Sequence, residues 1–180
     1  MKTTSQSTDG RDSADSTQRL ESLFDDAQGE ILGTLFFVVG NMEDARDALQ
    51  ETFLKCWRHR DQIDQVANLR AWVFRIAVNC GRDCRKTAWN RRRQPMAEET
   101  VMSSTVDSPD RRLIHDEELH RLEQAVSRLR AEEQEVFLLR QNGALTYEQI
   151  AEVTSLPLGT VKTRMRTAIG QLRQAVGGQS

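Results

Sequence analysis

The sequence contains little that would interrupt a helix. Its 180 residues include only three prolines, Pro95, Pro109 and Pro157, and ten glycines. Proline breaks helix interiors by removing a hydrogen bond and clashing with the preceding turn, so its scarcity leaves room for long helices. Leu, Ala, Glu, Gln and Arg, which helix interiors favour, are frequent. An all-α fold is expected. Cysteine is equally scarce: Cys56, Cys80 and Cys84 are odd in number and lack disulfide-scaffold spacing, which excludes a stapled secreted module and favours a reducing compartment. Cys80 and Cys84 stand one helical turn apart and could share a metal. No Cys or His lies close enough in sequence to complete a ligand set, and free cysteines are mostly buried. Core packing is therefore the reading, with no metal and no cofactor expected.

No apolar run is long enough to cross a membrane. The most apolar stretch, Ile31 to Val39, falls well short of the roughly 20 residues a bilayer requires. The amino terminus is polar and acidic, unlike a signal peptide, so a cytoplasmic protein without a membrane partner is expected. Catalytic apparatus is missing too. The sequence has no glycine-rich phosphate loop and no plausible Ser/His/Asp set, and His59, His115 and His120 are scattered. An enzyme is not expected.

What the sequence does have is strong local charge beneath a net charge of only −2. From Arg82 to Arg93 six basic residues meet one acid, and from Pro157 to Val176 four basic residues meet none. Between Glu98 and Glu135 eleven acids face five arginines. Two basic patches separated by an acidic stretch suit two polyanion contacts, although a charge run is more often a solvated face.

Periodicity divides the chain. Residues 1–17 are polar without apolar spacing and read as a disordered tail. Leu20, Leu23, Phe24, Ala27, Ile31 and Leu35 predict a helix, which Gly40 can end before Asn41 caps the next. Ala45, Ala48, Leu49, Thr52, Phe53, Cys56 and Trp57 form the stripe of a second helix. A polar loop, His59 to Asn68, precedes a third helix marked by Leu69, Trp72, Val73, Ile76, Ala77 and Cys80. The pattern vanishes between Gln94 and Asp116, where Pro95, Pro109 and Ser103-Ser104-Thr105 mark a flexible linker. Beyond it Leu119, Leu122, Ala125, Val126 and Leu129 begin a second domain, followed by Val136, Phe137 and Leu139. Thr146 and Gln149 predict a capping box, Thr154-Ser155-Leu156 a turn, and Pro157 the first position of a final helix. This is a helix-turn-helix. Two small helical domains, 18–93 and 117–176, joined by 94–116, are expected.

Three helix faces call for partners. A helix turns about 100° per residue, so in the last helix Val161, Met165, Ala168 and Leu172 face the core. Thr163, Arg166, Thr167 and Gly170 face away, with Lys162 and Arg164 flanking. Outer residues can meet base edges in a major groove while the flanking cations meet phosphate. In the third helix Arg75, Arg82, Arg85 and Lys86 lie opposite the apolar stripe, joined by Trp89 if the helix runs that far. Such a surface can hold backbone phosphates and stack an unpaired base, or Trp89 can fold back onto the core. The second helix differs in kind. Glu43, Asp47, Gln50, Glu51 and Arg58 surround Leu54, which is either an isolated surface apolar or the anchor of a charged-rim protein interface.

Two segments resemble a known family. Residues 44–57, DARDALQETFLKCW, and 70–79, RAWVFRIAVN, are similar to region 2 of sigma-70 type RNA polymerase sigma factors, in the compact extracytoplasmic-function (ECF) group. Residues 134–169, through QEVFLLRQNGALTYEQIAEV to GTVKTRMRTAI, resemble that group's region 4. The resemblance implies a region 2 helical bundle, a region 4 helix-turn-helix and no intermediate region 3. It implies that Asp44, Asp47, Gln50, Glu51 and Leu54 dock on the clamp coiled coil of the polymerase's largest subunit. The His59–Asn68 loop and the start of the third helix would capture a flipped base of the minus-ten element. Arg75, Arg82, Arg85 and Lys86, with Trp89, would hold that element. Lys162, Thr163, Arg166 and Thr167, with Thr160 and Arg164 beside them, would read the minus-thirty-five element. Core RNA polymerase and promoter DNA are the implied partners, and an anti-sigma factor could silence the protein by covering the second helix. Arg166 stands where relatives often carry His or an aromatic, Thr167 where many carry Arg, and Glu132-Glu133 where a proline-containing start is usual. Two rivals remain at this point: a self-sufficient helix-turn-helix regulator, usually a dimer on a palindrome, and a decoy that binds polymerase without DNA.

Overall fold

A computed structural model describes residues 9–93 and 113–177, with side chains over 15–87 and 120–175. Seven α-helices and one 3₁₀ segment make up the described residues, which contain no strand: α1 Asp9–Val39, α2 Met42–Arg58, the 3₁₀ segment Arg60–Gln65, α3 Leu69–Arg93, α4 Leu113–Ser127, α5 Ala131–Gln141, α6 Tyr147–Thr154 and α7 Leu158–Gly177. Helices α1, α2 and α3 pack against one another, and α4, α5 and α6 each pack on α7.

The first bundle forms because three helices offer complementary stripes. On α1, Leu20, Phe24, Ala27, Ile31, Leu35 and Val38 recur every three or four residues and are buried. Gly40 ends α1 at φ +92°, a left-handed conformation that glycine adopts freely, and its amide donates to Phe36 O at 2.8 Å. Ala45, Ala48, Thr52 and Cys56 form the buried side of α2. The Thr52 hydroxyl, fully buried, donates to Ala48 O at 2.6 Å. On α3 the buried set is Ala71, Val73, Phe74, Ala77, Val78 and Cys80. That sector is wider than the single stripe read from the sequence because α3 packs on α6 as well as on α1 and α2.

The structure corrects several expectations. Residues 9–17, expected within a disordered tail, are helical, and residues 1–8 lie outside the described residues. Ser16 is buried, its hydroxyl donating to Asp64 Oδ2 at 2.8 Å, while Arg19 Nη1 meets Asp64 Oδ1 at 3.2 Å. Asp64 thus secures the start of α1 by a long-range contact that local periodicity does not reveal. The expected polar loop His59–Asn68 contains the 3₁₀ segment, pinned by the fully buried Ile63. The expected linker ends earlier than Asp116, since α4 begins at Leu113; residues 94–112 lie outside the described residues. Leu122, read as a core position, is 39% exposed, whereas Ala125, Val126 and Leu129 on the same helix are buried. Pro157 stands one residue before α7, where its carbonyl accepts from Thr160 and Val161.

The two bundles touch. Phe37 of α1 packs on the cluster formed by Ala125, Val126, Leu129, Leu138, Ala168 and Leu172. Asn142 Nδ2 donates to Thr34 Oγ1 at 3.2 Å. Arg70 of α3 donates from Nε to Gly143 O at 2.7 Å and from Nη2 to Asn142 O at 2.8 Å. These carbonyls project from the turn that ends α5, where Ala144 takes φ +53° and a Cβ on Gly143 would overlap the Leu139 carbonyl.

Candidate nucleic-acid interface

Helix α7 is positioned from both sides. Thr146 and Gln149 form the expected capping box, the Thr146 amide donating to Gln149 Oε1 at 2.9 Å and the Gln149 amide to Thr146 Oγ1 at 3.2 Å. Ser155 then turns the chain at φ +57°. Val161, Met165, Ala168 and Leu172 are buried, while Lys162, Thr163, Arg166, Thr167 and Gly170 are exposed and Thr160 and Arg164 half-buried. Thr163 and Thr167 donate their hydroxyls to Gly159 O and Thr163 O at 2.9 and 3.1 Å, which restrains both side chains. Between α6 and α7, Tyr147, Lys162, Met165, Arg166, Ile169, Gly170 and Arg173 line an open groove of ≈ 530 Å³. Its apolar floor and cationic rim extend the outer strip of α7. Helical spacing alone does not mark Tyr147, Ile169 or Arg173 as part of this groove, although Arg173 belongs to the basic run from Pro157 to Val176.

One departure from the family pattern gains a structural role. Glu133 is buried at the start of α5, and its Oε2 accepts from Gln171 Nε2 of α7 at 3.1 Å. Beside it the buried Gln134 donates from Nε2 to Val126 O at 2.9 Å, tying α5 to α4. The acidic start of α5 therefore braces α7.

On α3, Arg75, Arg85 and Lys86 are exposed. The Arg82 guanidinium instead forks onto Glu135 of α5, Nε to Oε2 at 3.2 Å and Nη2 to Oε1 at 2.5 Å. The backbone of Trp89 is helical within α3, but its side chain lies outside the described residues. The segment before α3 is held by Asn68, whose Oδ1 accepts from the Ala71 amide at 2.9 Å. It is also held by Arg60, which lies over the Trp57 ring at 5.0 Å and donates to Trp57 O at 2.9 Å.

Helix α2 presents the acidic face. Asn41 caps it, accepting from the Asp44 amide at 2.8 Å while its Nδ2 donates to Asp44 Oδ2 at 2.7 Å. Asp44 is thus partly committed to the cap. Asp47 and Gln50 are exposed, and the half-buried Glu51 pairs with Lys55 at 3.8 Å. Leu54 is 39% exposed. It sits two residues from both Thr52 and Cys56, about 200° around the helix from the buried positions. Among the described residues, Leu54 and Leu122 are the large hydrophobics exposed to solvent.

Cys56 and Cys80 are buried and Cys84 half-buried. Burial, with Cys80 close by, pushes the Cys56 thiol up to about 12. The thiolate is the reactive form, so Cys56 should resist alkylation by iodoacetamide at pH 8 in the folded chain and react once urea unfolds it, as peptide mass spectrometry would show. A thiol held protonated in the fold stabilises it fully below the unfolded value of 9.0. That contribution should fade as pH rises toward 12.

Residues 23–91 match the family Sigma-70 region 2, and residues 119–172 match Sigma-70, region 4. The chain is 30% identical over 161 residues to ECF RNA polymerase sigma factor SigL of Mycobacterium tuberculosis, covering 86% of this chain and 86% of that protein. It is 28% identical over 148 residues to RNA polymerase sigma-H factor of Pseudomonas aeruginosa, covering 77% of this chain and 76% of that one. Among solved structures it is similar to the sigma factor RpoE of Bartonella quintana, solved in complex with the anti-sigma factor NepR. The TM-score is 0.69 at 20% identity, over 91% of this chain and 99% of that chain. It is also similar to CnrH, solved with the cytosolic domain of CnrY, with a TM-score of 0.66 at 20% identity over 96% of each chain. At these identities the structural likeness establishes the shared fold. The two family matches, in order along one chain and joined by this overall similarity, show that the protein belongs to the sigma-70 family of RNA polymerase sigma factors, in the ECF group.

Proposed function

We propose that this sigma factor divides its work among three helical surfaces. Asp44, Asp47, Gln50, Glu51 and Leu54 of α2 dock on core RNA polymerase. Arg75, Arg82, Arg85 and Lys86 of α3, with Trp89, hold the minus-ten element and an unstacked base. Thr160, Lys162, Thr163, Arg164, Arg166 and Thr167 of α7 read the minus-thirty-five element. Capturing a base outside the stack offsets part of the cost of opening the duplex, a few kcal/mol per base, so opening proceeds without ATP. The observation that carries this reading is on α7: Val161, Met165, Ala168 and Leu172 are buried while Lys162, Thr163, Arg166 and Thr167 stand in solvent. A cationic helix so displayed, behind a capped turn, favours a DNA reader over a decoy. The acidic α2 face with its exposed Leu54 favours a polymerase-dependent factor over a self-sufficient regulator.

The protein would work in the cytoplasm, alongside polymerase and DNA; no helix among the described residues is long and apolar enough to cross a membrane. An anti-sigma protein covering α2 is a further proposed partner, in keeping with the similar RpoE structure, which was solved in complex with the anti-sigma factor NepR. Run-off transcription with purified core polymerase tests the reading. Promoter-specific starts should appear only when chain and core are combined. Site-specific DNA binding by the chain alone, with no effect on transcript starts, would overturn it.

A further inference from the structure

An unstacked minus-ten base would meet the loop before α3, most of which is the 3₁₀ segment Arg60–Gln65. A 3₁₀ turn holds about three residues, so side chains three apart share a side. The six residues therefore form three pairs. Arg60 and Ile63 face inward: Ile63 is fully buried, and Arg60 is half-buried over the Trp57 ring. Asp61 and Asp64 share the second side. There Asp64 accepts from the Ser16 hydroxyl on Oδ2 at 2.8 Å and from Arg19 Nη1 on Oδ1 at 3.2 Å. Gln62 and Gln65 share the third side, and both are exposed.

The tethers on this loop differ in reach. Arg60 bonds to Trp57 O and Asn68 to the Ala71 amide, each three positions away. Asp64 reaches 48 and 45 positions back, to the start of α1, on which the 3₁₀ segment packs. Its two bonds also differ in weight. Arg19 and Asp64 are 45% and 47% exposed, and ion pairs so wetted contribute little. Ser16 is only 1% exposed, and a hydrogen bond shielded from water is the stronger hold.

We propose that Asp64 is a positioning residue for promoter opening: tied to Ser16, it fixes the roll of the 3₁₀ segment on α1 so that Gln62 and Gln65 face the captured base. A glutamine amide carries both donor and acceptor, so it can match the edge of a base held outside the stack. Roll matters because a slip of one residue, about 120°, would carry both glutamines away from that side. The proposal rests on the reading that this loop captures a base. A loop that holds the right roll only part of the time loses apparent affinity by that fraction. Removing one hydrogen bond should therefore cost roughly 2- to 12-fold, the range of a typical intramolecular bond.

The test uses holoenzyme assembled from core polymerase and the full chain. It is titrated with a dye-labelled single DNA strand carrying the minus-ten element of a promoter found by transcript start mapping. Strands with each base changed in turn give the base preference. Wild type should prefer one base at one position. Asp64→Ala and Ser16→Ala should each lower affinity for the preferred strand by the stated range and flatten the preference. Asp64→Asn, which keeps an acceptor for Ser16, should recover most of both, and Arg19→Ala should lose less than Ser16→Ala. Gln62→Ala combined with Gln65→Ala should abolish the preference. Circular dichroism and core affinity confirm that each variant is folded and assembled. A lower melting temperature with base preference intact in Asp64→Ala would mark a merely structural tether and overturn the proposal. Preference kept by the double glutamine variant would overturn it too. No base preference in wild type would instead remove the base-capture reading on which the proposal stands.

Discussion

Leu54→Asp is expected to lower affinity for core polymerase by roughly 30-fold or more while leaving the helical fold intact. Leu54 is 39% exposed between Asp47, Gln50 and Glu51, so in the free chain its side chain contributes little to the core. Substitutions at such surface positions usually change stability by less than about 0.5 kcal/mol. In an interface the balance reverses. A central apolar anchor within a polar rim carries a large share of the binding energy, about 2 kcal/mol or more on truncation, and a buried carboxylate beside two acids adds desolvation and repulsion. Leu54→Met, close in volume and polarity, should bind near normally. Titrating labelled chain with core polymerase gives the affinities, and thermal melting followed by circular dichroism gives the stability. Wild-type affinity in Leu54→Asp would remove α2 from the polymerase interface.

Arg166→Ala should change which promoters are used while leaving polymerase binding near wild type. Arg166 stands on the exposed strip of α7, and its guanidinium makes no ion pair among the described residues. An arginine reading a guanine edge contributes about 1–3 kcal/mol of discrimination, so its loss should cost roughly 5- to 150-fold at cognate upstream elements and much less at altered ones. Lys162→Ala is the informative partner. A cation resting on phosphate should weaken all promoters alike and reduce the salt dependence of binding by about one counterion. Transcript start mapping with both variants separates base reading from backbone contact. A uniform loss in Arg166→Ala would demote it to a phosphate contact.

Local physics made much of the architecture readable in advance. The faces of α7 followed from helical spacing alone, because burial there is set by one stripe, and Val161, Met165, Ala168 and Leu172 are buried as that spacing requires. The caps at Asn41 and at Thr146 with Gln149 were readable because each is chemistry within four residues. What stayed hidden depends on distant partners. The start of α1 is secured by Asp64, 48 residues beyond Ser16. The widened burial of α3 and the exposure of Leu122 follow from which helices pack together. The pairing of Arg82 with Glu135 spans 53 positions, so the sequence shows both charges without showing that they meet. The role of Glu133 depends likewise on Gln171, 38 positions away.

Photocrosslinking in an assembled promoter complex, with a reactive residue placed in turn at Leu54 and at Arg166, addresses most directly the claim that separate helices grip separate partners. Leu54 should join to the largest polymerase subunit and Arg166 to upstream promoter DNA, each without the other's product. Leu54 joined to DNA, or Arg166 joined to polymerase alone, would contradict it.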